Sequence, residues 1–245
     1  MITKQEMDEI CEKYETEDFI KNDPIQFPHR FCNEKDIEIS AFITSCFSYG
    51  NRKVFIEKLN ELFCIMDNRP YEYIMNFDKN NNLDFCYRFQ KCFDVVCFFE
   101  KIHNLYKNGS SLKTLFEEHS ENGILPMLQK VCDYFYDCEN LTQGYCNLIP
   151  NPNKGGAMKR LNMFLRWMVR KAPVDLNLWK FIQSSELLIP FDTHVAQMSR
   201  KLGFLHRNAN DMKSVMEVME YLRGFDKNDP VKYDFALFGY GISHK

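Results

Sequence analysis

NPNKGGAMKRLNMFLRWMVRKAPV, residues 151–174, joins a turn rich in Pro, Asn and Gly to one amphipathic helix. Leu161, Phe164, Leu165 and Met168 recur at i, i+3, i+4 and i+7, the stripe by which a helix faces a core. Lys159, Asn162, Arg166 and Arg170 follow a second stripe at steps of three, four and four, which predicts a polar face. The helix is expected to begin just after Gly155–Gly156, so Lys159 falls in its first turn. Glycine flexibility and unpaired backbone N–H groups at that end suit a phosphate, and an amine there is also a candidate nucleophile. A solvated face carrying ordinary lysines is the plain alternative. The segment holds six Lys or Arg and no Asp or Glu, leaving 25 of the chain's 31 basic residues against all 34 acidic ones elsewhere. The positive charge is local, so a net charge of −3 does not exclude a polyanionic partner.

Outward from this helix the chain reads as more helix. DIEISAFITSCFSYG (36–50), RKVFIEKLNELFCIM (52–66), SLKTLFEEHS (111–120) and DMKSVMEVMEYLRGF (211–225) each place apolar residues three and four apart, and strand-like alternation is scarce. Breaks fall at KNDPIQFPHR, FDKNNNLD, KNGSS, LIPNPNKGG, RKAPVD and FDKNDP, and KNNN (79–82) is a short biased loop. The pattern predicts an all-α protein of about ten to twelve helices without internal repeats. At 245 residues, 45% hydrophobic and 15% aromatic, it can bury a large core. CYRFQKCFDVVCFFEKIHNLY (86–106) also reads as one helix, on which Cys86, Cys92 and Cys97 share no face. The ten cysteines, without a C-x-x-C pair, are read as small buried thiols and no metal is expected. The charged start MITKQEMDEICEKYE lacks the apolar core of a secretory signal, and no run approaches the roughly 18 apolar residues of a membrane span. A soluble intracellular protein is expected.

LLIPFDTHVAQM (187–198) sets one carboxylate between an apolar run and a helix start. Asp192 follows Pro190 and Phe191, and Val195, Met198, Leu202 and Phe204 recur behind it at helical spacing, so Asp192 is a natural N-cap, worth about 1 kcal/mol. NDPVKYDF (228–235) has a similar structural account, with Asp229 as cap, Pro230 at N1, and a stop near Gly239 or Gly241.

GGAMKRLNMFLRWMVR, LLIPFDTHV and DPVKYDFALFGYG together resemble a bacterial family of the helix-hairpin-helix (HhH-GPD) DNA glycosylase superfamily, closest in type to archaeal 8-oxoguanine DNA glycosylase. The resemblance spans about residues 140–241. In that superfamily a lysine opens the second hairpin helix and an aspartate stands in a later Pro-x-Asp signature. The matching positions are Lys159 and Asp192, and their separation of 33 residues is similar to the archaeal type. LIPNPNKGGAMK departs from the usual Leu-Pro-Gly-x-Gly turn, being longer and with its glycines directly before the lysine. The four C-terminal cysteines of the iron–sulfur branch have no counterpart after Cys146.

The resemblance implies an all-α, two-lobed glycosylase-like fold with a variant hairpin, in one domain covering 1–245. The inner lobe is expected at about 52–140, and the second, carrying the hairpin and catalytic residues, at 1–51 plus 141–245. It further implies a monomer of the bacterial cytosol and nucleoid, with no cofactor and no membrane, acting on double-stranded DNA that contains a damaged base. Lys159 would attack the sugar C1′, expel 8-oxoguanine and form a Schiff base that permits β-elimination, while Asp192 would stabilise charge on the sugar and shuttle a proton. Lys154, Gly155, Gly156, Arg160 and His194 become DNA-binding candidates, against a reading as mobile surface groups. Asn51, Phe235 and Phe238 are weak base-pocket candidates, with capping for Asn51 and core packing for the rings as alternatives. Two other functions stay open: a non-catalytic helix-hairpin-helix nucleic-acid-binding protein, and a helical interaction domain whose basic stripe meets an acidic partner.

Overall fold

The computed structural model describes residues 2–80, 83–139, 141–171 and 173–243. Asn81 and Asn82 of KNNN, and Ala172 of RKAPVD, lie outside the described residues. The protein is all-helical: among the described residues no strand forms, and two isolated antiparallel bridges occur. In chain order the helices are α1 (Lys4–Tyr14), α2 (Glu17–Ile20), α3 (Glu34–Phe47), α4 (Arg52–Ile65), α5 (Pro70–Met75), α6 (Cys92–Lys107) and α7 (Leu112–Glu117). They continue with α8 (Ile124–Tyr136), α9 (Gln143–Leu148), α10 (Lys159–Val169), α11 (Thr193–Leu202), α12 (Met212–Phe225) and α13 (Tyr233–Ser243). The surplus over the periodicity count is in helices such as the four-residue α2, too short to show a period. None of the helices is long and apolar enough to cross a membrane, among the described residues.

The chain divides into two compact units, a central one from Phe27 to Asn151 and a terminal one joining Met1–Gln26 to Pro152–Lys245. These boundaries differ from the expected 52–140 lobe, for a packing reason. α3 buries Phe42, whose ring stacks 5.8 Å from Phe98 of α6 and 5.2 Å from Phe135 of α8, so 27–51 belongs with the central helices. α9 is tied to them as well: Gln90 Nε2 donates to Gly144 O at 2.9 Å and the Tyr145 hydroxyl to Phe135 O at 2.7 Å. The helix read at 86–106 starts at Cys92; the six residues before it form a tight turn in which Tyr87 and Gln90 exchange both backbone hydrogen bonds, 3.2 and 3.0 Å.

In the terminal unit α13 is the axis. Phe235, Ala236 and Leu237 are fully buried, and α1 and α11 pack on it. Gly239 and Gly241 do not stop this helix but lie within it. A Cβ at Gly239 would enter the Tyr14 ring and meet Ile10 of α1, and one at Gly241 would enter the His194 imidazole of α11. Close approach, rather than chain termination, is what those two glycines supply. Gly239→Ala is therefore expected to destabilise by about 1–3 kcal/mol, the usual penalty of overpacking, read as a lower urea midpoint with unchanged slope.

Candidate active site

α10 begins where the sequence predicts, at Lys159, but through an unusual lead-in. Its N-cap is Met158, in left-handed conformation (φ 53°, ψ 30°) and with no side-chain cap. The glycine turn before it is braced from outside: Met212 N–H donates to Gly155 O at 2.9 Å, and Gly156 forms an isolated bridge with Asp211. Gly155 has φ +70°, which favours glycine. Lys154, Gly155 and Gly156 are exposed and Arg160 is half-buried, so the turn is presented outward.

α11 begins at Thr193 with Asp192 as its N-cap. The carboxylate divides its two oxygens. Oδ1 accepts the Val195 N–H at 3.0 Å, and Oδ2 lies 3.7 Å from Lys159 Nζ. Both side chains keep partial solvent access, 31% for Lys159 and 42% for Asp192. Two helix starts 33 residues apart thus bring an amine and a fixed carboxylate to one place. At that separation a proton can pass between them after a small side-chain movement.

A third acidic group belongs to this neighbourhood. Asp234, in the first turn of α13, pairs with Arg166. Burial outweighs the guanidinium and lifts this carboxyl to about 6; Asp192 adds to the rise, while Lys159 opposes it. Nothing in DPVKYDFALFGYG marks Asp234 as functional, because an acidic residue in a first turn has an ordinary helix-dipole explanation. Its folded value stands above the unfolded one, near 3.9. The stability it contributes is thus fully present below that value and is lost as pH rises through about 6. Relative to Asp234→Asn, the wild type should lose about 2–3 kcal/mol between pH 4 and pH 7, measured by urea unfolding at both pH values.

The second stripe of α10 is not a solvent face. Asn162, Arg166 and Arg170 are 0%, 3% and 2% exposed. Arg170 donates to Asp175 at 2.6 Å, to Glu15 at 2.7 Å and to Asp229 through two nitrogens, both at 2.8 Å. Arg166 lies 3.4 Å from Asp175 and stacks 4.7 Å from the Phe235 ring centre. Two guanidiniums therefore serve four carboxylates, and burial pushes Glu15, like Asp234, upward. Sequence spacing correctly put these residues on one side of the helix but could not show that the nearby Asp175 and acidic residues from two distant segments would cover it.

Other candidates take structural places. His194 turns Cε1 and Nε2 toward Gly241, and Nε2 is buried without a hydrogen-bond partner, so that nitrogen is not offered to a phosphate. Phe235 is 0% exposed, edge-on to Phe19 at 5.0 Å, and cannot stack on an extruded base. Phe238 is half-buried, edge-on to Phe19 at 5.2 Å and Tyr14 at 6.0 Å. Both rings serve the core of the terminal unit. Asn51 is exposed and caps α4 in the central unit, accepting the Val54 N–H at 3.4 Å. A broad depression lined by Glu15, Arg170, Asp229 and Lys232 includes neither Lys159 nor Asp192.

The fold and site define an all-helical protein that sets a lysine–aspartate pair at two helix starts. The chain belongs to the family described as "Protein of unknown function (DUF2400)", which matches residues 23–243. Comparison with curated proteins and with solved structures returned no match.

Proposed function

We propose that this protein is a DNA base-excision glycosylase with AP-lyase activity, acting through Lys159 and Asp192 on an oxidised purine of the 8-oxoguanine type. The observation that carries the reading is the 3.7 Å approach of Lys159 Nζ to Asp192 Oδ2, with Oδ1 already held by the helix cap. A cap alone needs no second oxygen turned toward an amine, and a phosphate-binding lysine needs no carboxylate beside it. The exposed Lys154–Gly156 turn, braced from behind by the start of α12, supports a grip on the backbone of a duplex.

In this reading Asp192 accepts a proton from the Lys159 ammonium, and the neutral amine attacks C1′ of the extruded nucleotide. The C1′–N bond breaks, and the base leaves with its electron pair and takes up a proton. Positive charge that develops on the sugar faces the Asp192 carboxylate, which the Val195 N–H keeps from rotating away. Ring opening gives the Schiff base, and loss of a C2′ proton then breaks the C3′–O bond. The test is borohydride trapping on labelled duplexes carrying 8-oxoguanine or an abasic site. A covalent adduct that depends on the lesion supports the proposal. Salt-sensitive binding to DNA without any adduct overturns it in favour of the non-catalytic reading.

A further inference from the structure

The central unit exposes two phenylalanines that its own core leaves out, Phe89 at 58% and Phe93 at 54%; Val54, directly after Arg52 and Lys53, is 46% exposed. Phe89 and Arg88 are the two exposed residues of the tight turn at 87–90. Arg88, beside it, has φ +53°, a left-handed conformation unfavourable for a residue with a side chain. The turn is nevertheless rigidly supported. Gln90 is anchored in the core through Gly144 O, the Tyr49 hydroxyl donates to Gln90 Oε1, and the buried Tyr87 hydroxyl donates to Tyr49 O. A strained backbone held this firmly while it presents an aromatic ring to solvent is not a packing arrangement.

The surroundings specify the partner. Arg88 places its guanidinium 5.3 Å from the Phe89 ring centre and 5.5 Å from that of Tyr49, and it also occupies the space a Cβ would need at Gly50. That contact brings segment 49–56 against segment 85–93. Together they carry Arg52, Lys53, Arg88 and Lys91, with the exposed carboxylates of Asp84 and Glu57 just beyond their ends. Aromatic rings interleaved with cations suit a polyanion that also offers flat apolar faces. A duplex interrupted at one position offers both features side by side, phosphates and the flat face of an unstacked base.

We infer that this surface is a nucleic-acid contact, in which Phe89 stacks on a base exposed at an interruption of the duplex while Arg88 and Lys91 engage the flanking phosphates. The inference needs DNA as partner but no chemistry at Lys159. It is tested with the full chain carrying Lys159→Gln, so that no turnover occurs. Binding is measured to an intact duplex and to one with a single-nucleotide gap, with 2-aminopurine at the gap edge as stacking reporter.

The unmodified turn should favour the gapped duplex by about tenfold and change the reporter's fluorescence. Phe89→Ala should abolish both effects and leave the salt slope unchanged, and Phe89→Trp should retain them. Lys91→Gln should weaken both duplexes alike and reduce the salt slope by about one. Equal affinity for the two duplexes, or a gap preference that survives Phe89→Ala, overturns the inference. Failure of the trapping assay with the gap preference intact would sink the glycosylase reading alone.

Discussion

Lys159→Gln is expected to give no borohydride-trapped complex on a duplex containing an abasic site, where the wild type gives one. The amide has no electron pair able to form the iminium that borohydride reduces, so the loss should exceed about a thousandfold. The position is half-exposed, and its stability effect should stay within about 0.5 kcal/mol. Asp192→Asn gives the sharper comparison. Asparagine is as good an N-cap as aspartate and keeps the Val195 N–H satisfied, so α11 should form normally. It removes only the charge facing Lys159, and trapping should fall about 10²–10⁴-fold, as for loss of a positioned acid–base group. Asp192→Ala should add the loss of the cap, about 1 kcal/mol of stability, to the same loss of trapping. If Asp192→Asn traps at the wild-type rate, Asp192 is a cap and nothing more. An adduct that persists in Lys159→Gln would assign the nucleophile to another amine.

The parts of this arrangement that were legible in the sequence are those fixed by local rules. Lys159 at a helix start and Asp192 at a cap follow from periodicity and from the chemistry of unpaired N–H groups, and both fall where those rules put them. The core stripe of Leu161, Phe164, Leu165 and Met168 is fully buried for the same reason. What the sequence did not disclose was set by partners distant along the chain. Arg166 and Arg170 look like a surface stripe until Glu15, Asp229 and Asp234 arrive from distant segments and, with the nearby Asp175, cover them. Gly239 and Gly241 look like helix stops until Tyr14 and His194 occupy the room a Cβ would take. The turn at 87–90 lacks glycine or proline, so its apolar residues continued the helical pattern of α6.

Arg170→Met is expected to be the most damaging substitution in the terminal unit. Arg170 closes α10 at the end opposite Lys159 and is the only guanidinium hydrogen-bonded to Asp175, Asp229 and Glu15, among the described residues. Methionine fills much of the same space, so the change isolates charge and hydrogen bonding from volume. It leaves three carboxylates facing one another, with the Asp175 side chain fully buried and Arg166, itself paired with Asp234, 3.4 Å from Asp175. Breaking a buried pair from one side typically costs about 3–5 kcal/mol, a large share of the roughly 5–15 kcal/mol that holds a domain folded. Because carboxylates outnumber guanidiniums four to two here, the opposite change should be milder: Asp175→Asn removes a surplus negative charge and keeps an acceptor for Arg170. The deficit of Arg170→Met must also depend on pH in a fixed direction. Burial already holds the Glu15 carboxyl above its ordinary value and Arg170 opposes that rise, so removing Arg170 lifts it further, and the stability it contributes is present at low pH and lost as pH rises through that value. Urea unfolding at pH 5 and pH 7.5 should therefore show the larger gap from wild type at pH 7.5. Arg170→Lys should fall between the two, since it restores one charge but not a planar group able to reach three carboxylates. A deficit below about 1 kcal/mol for Arg170→Met, or one equal at both pH values, would mean that apolar packing rather than this ionic network anchors α10, and with it the position of Lys159.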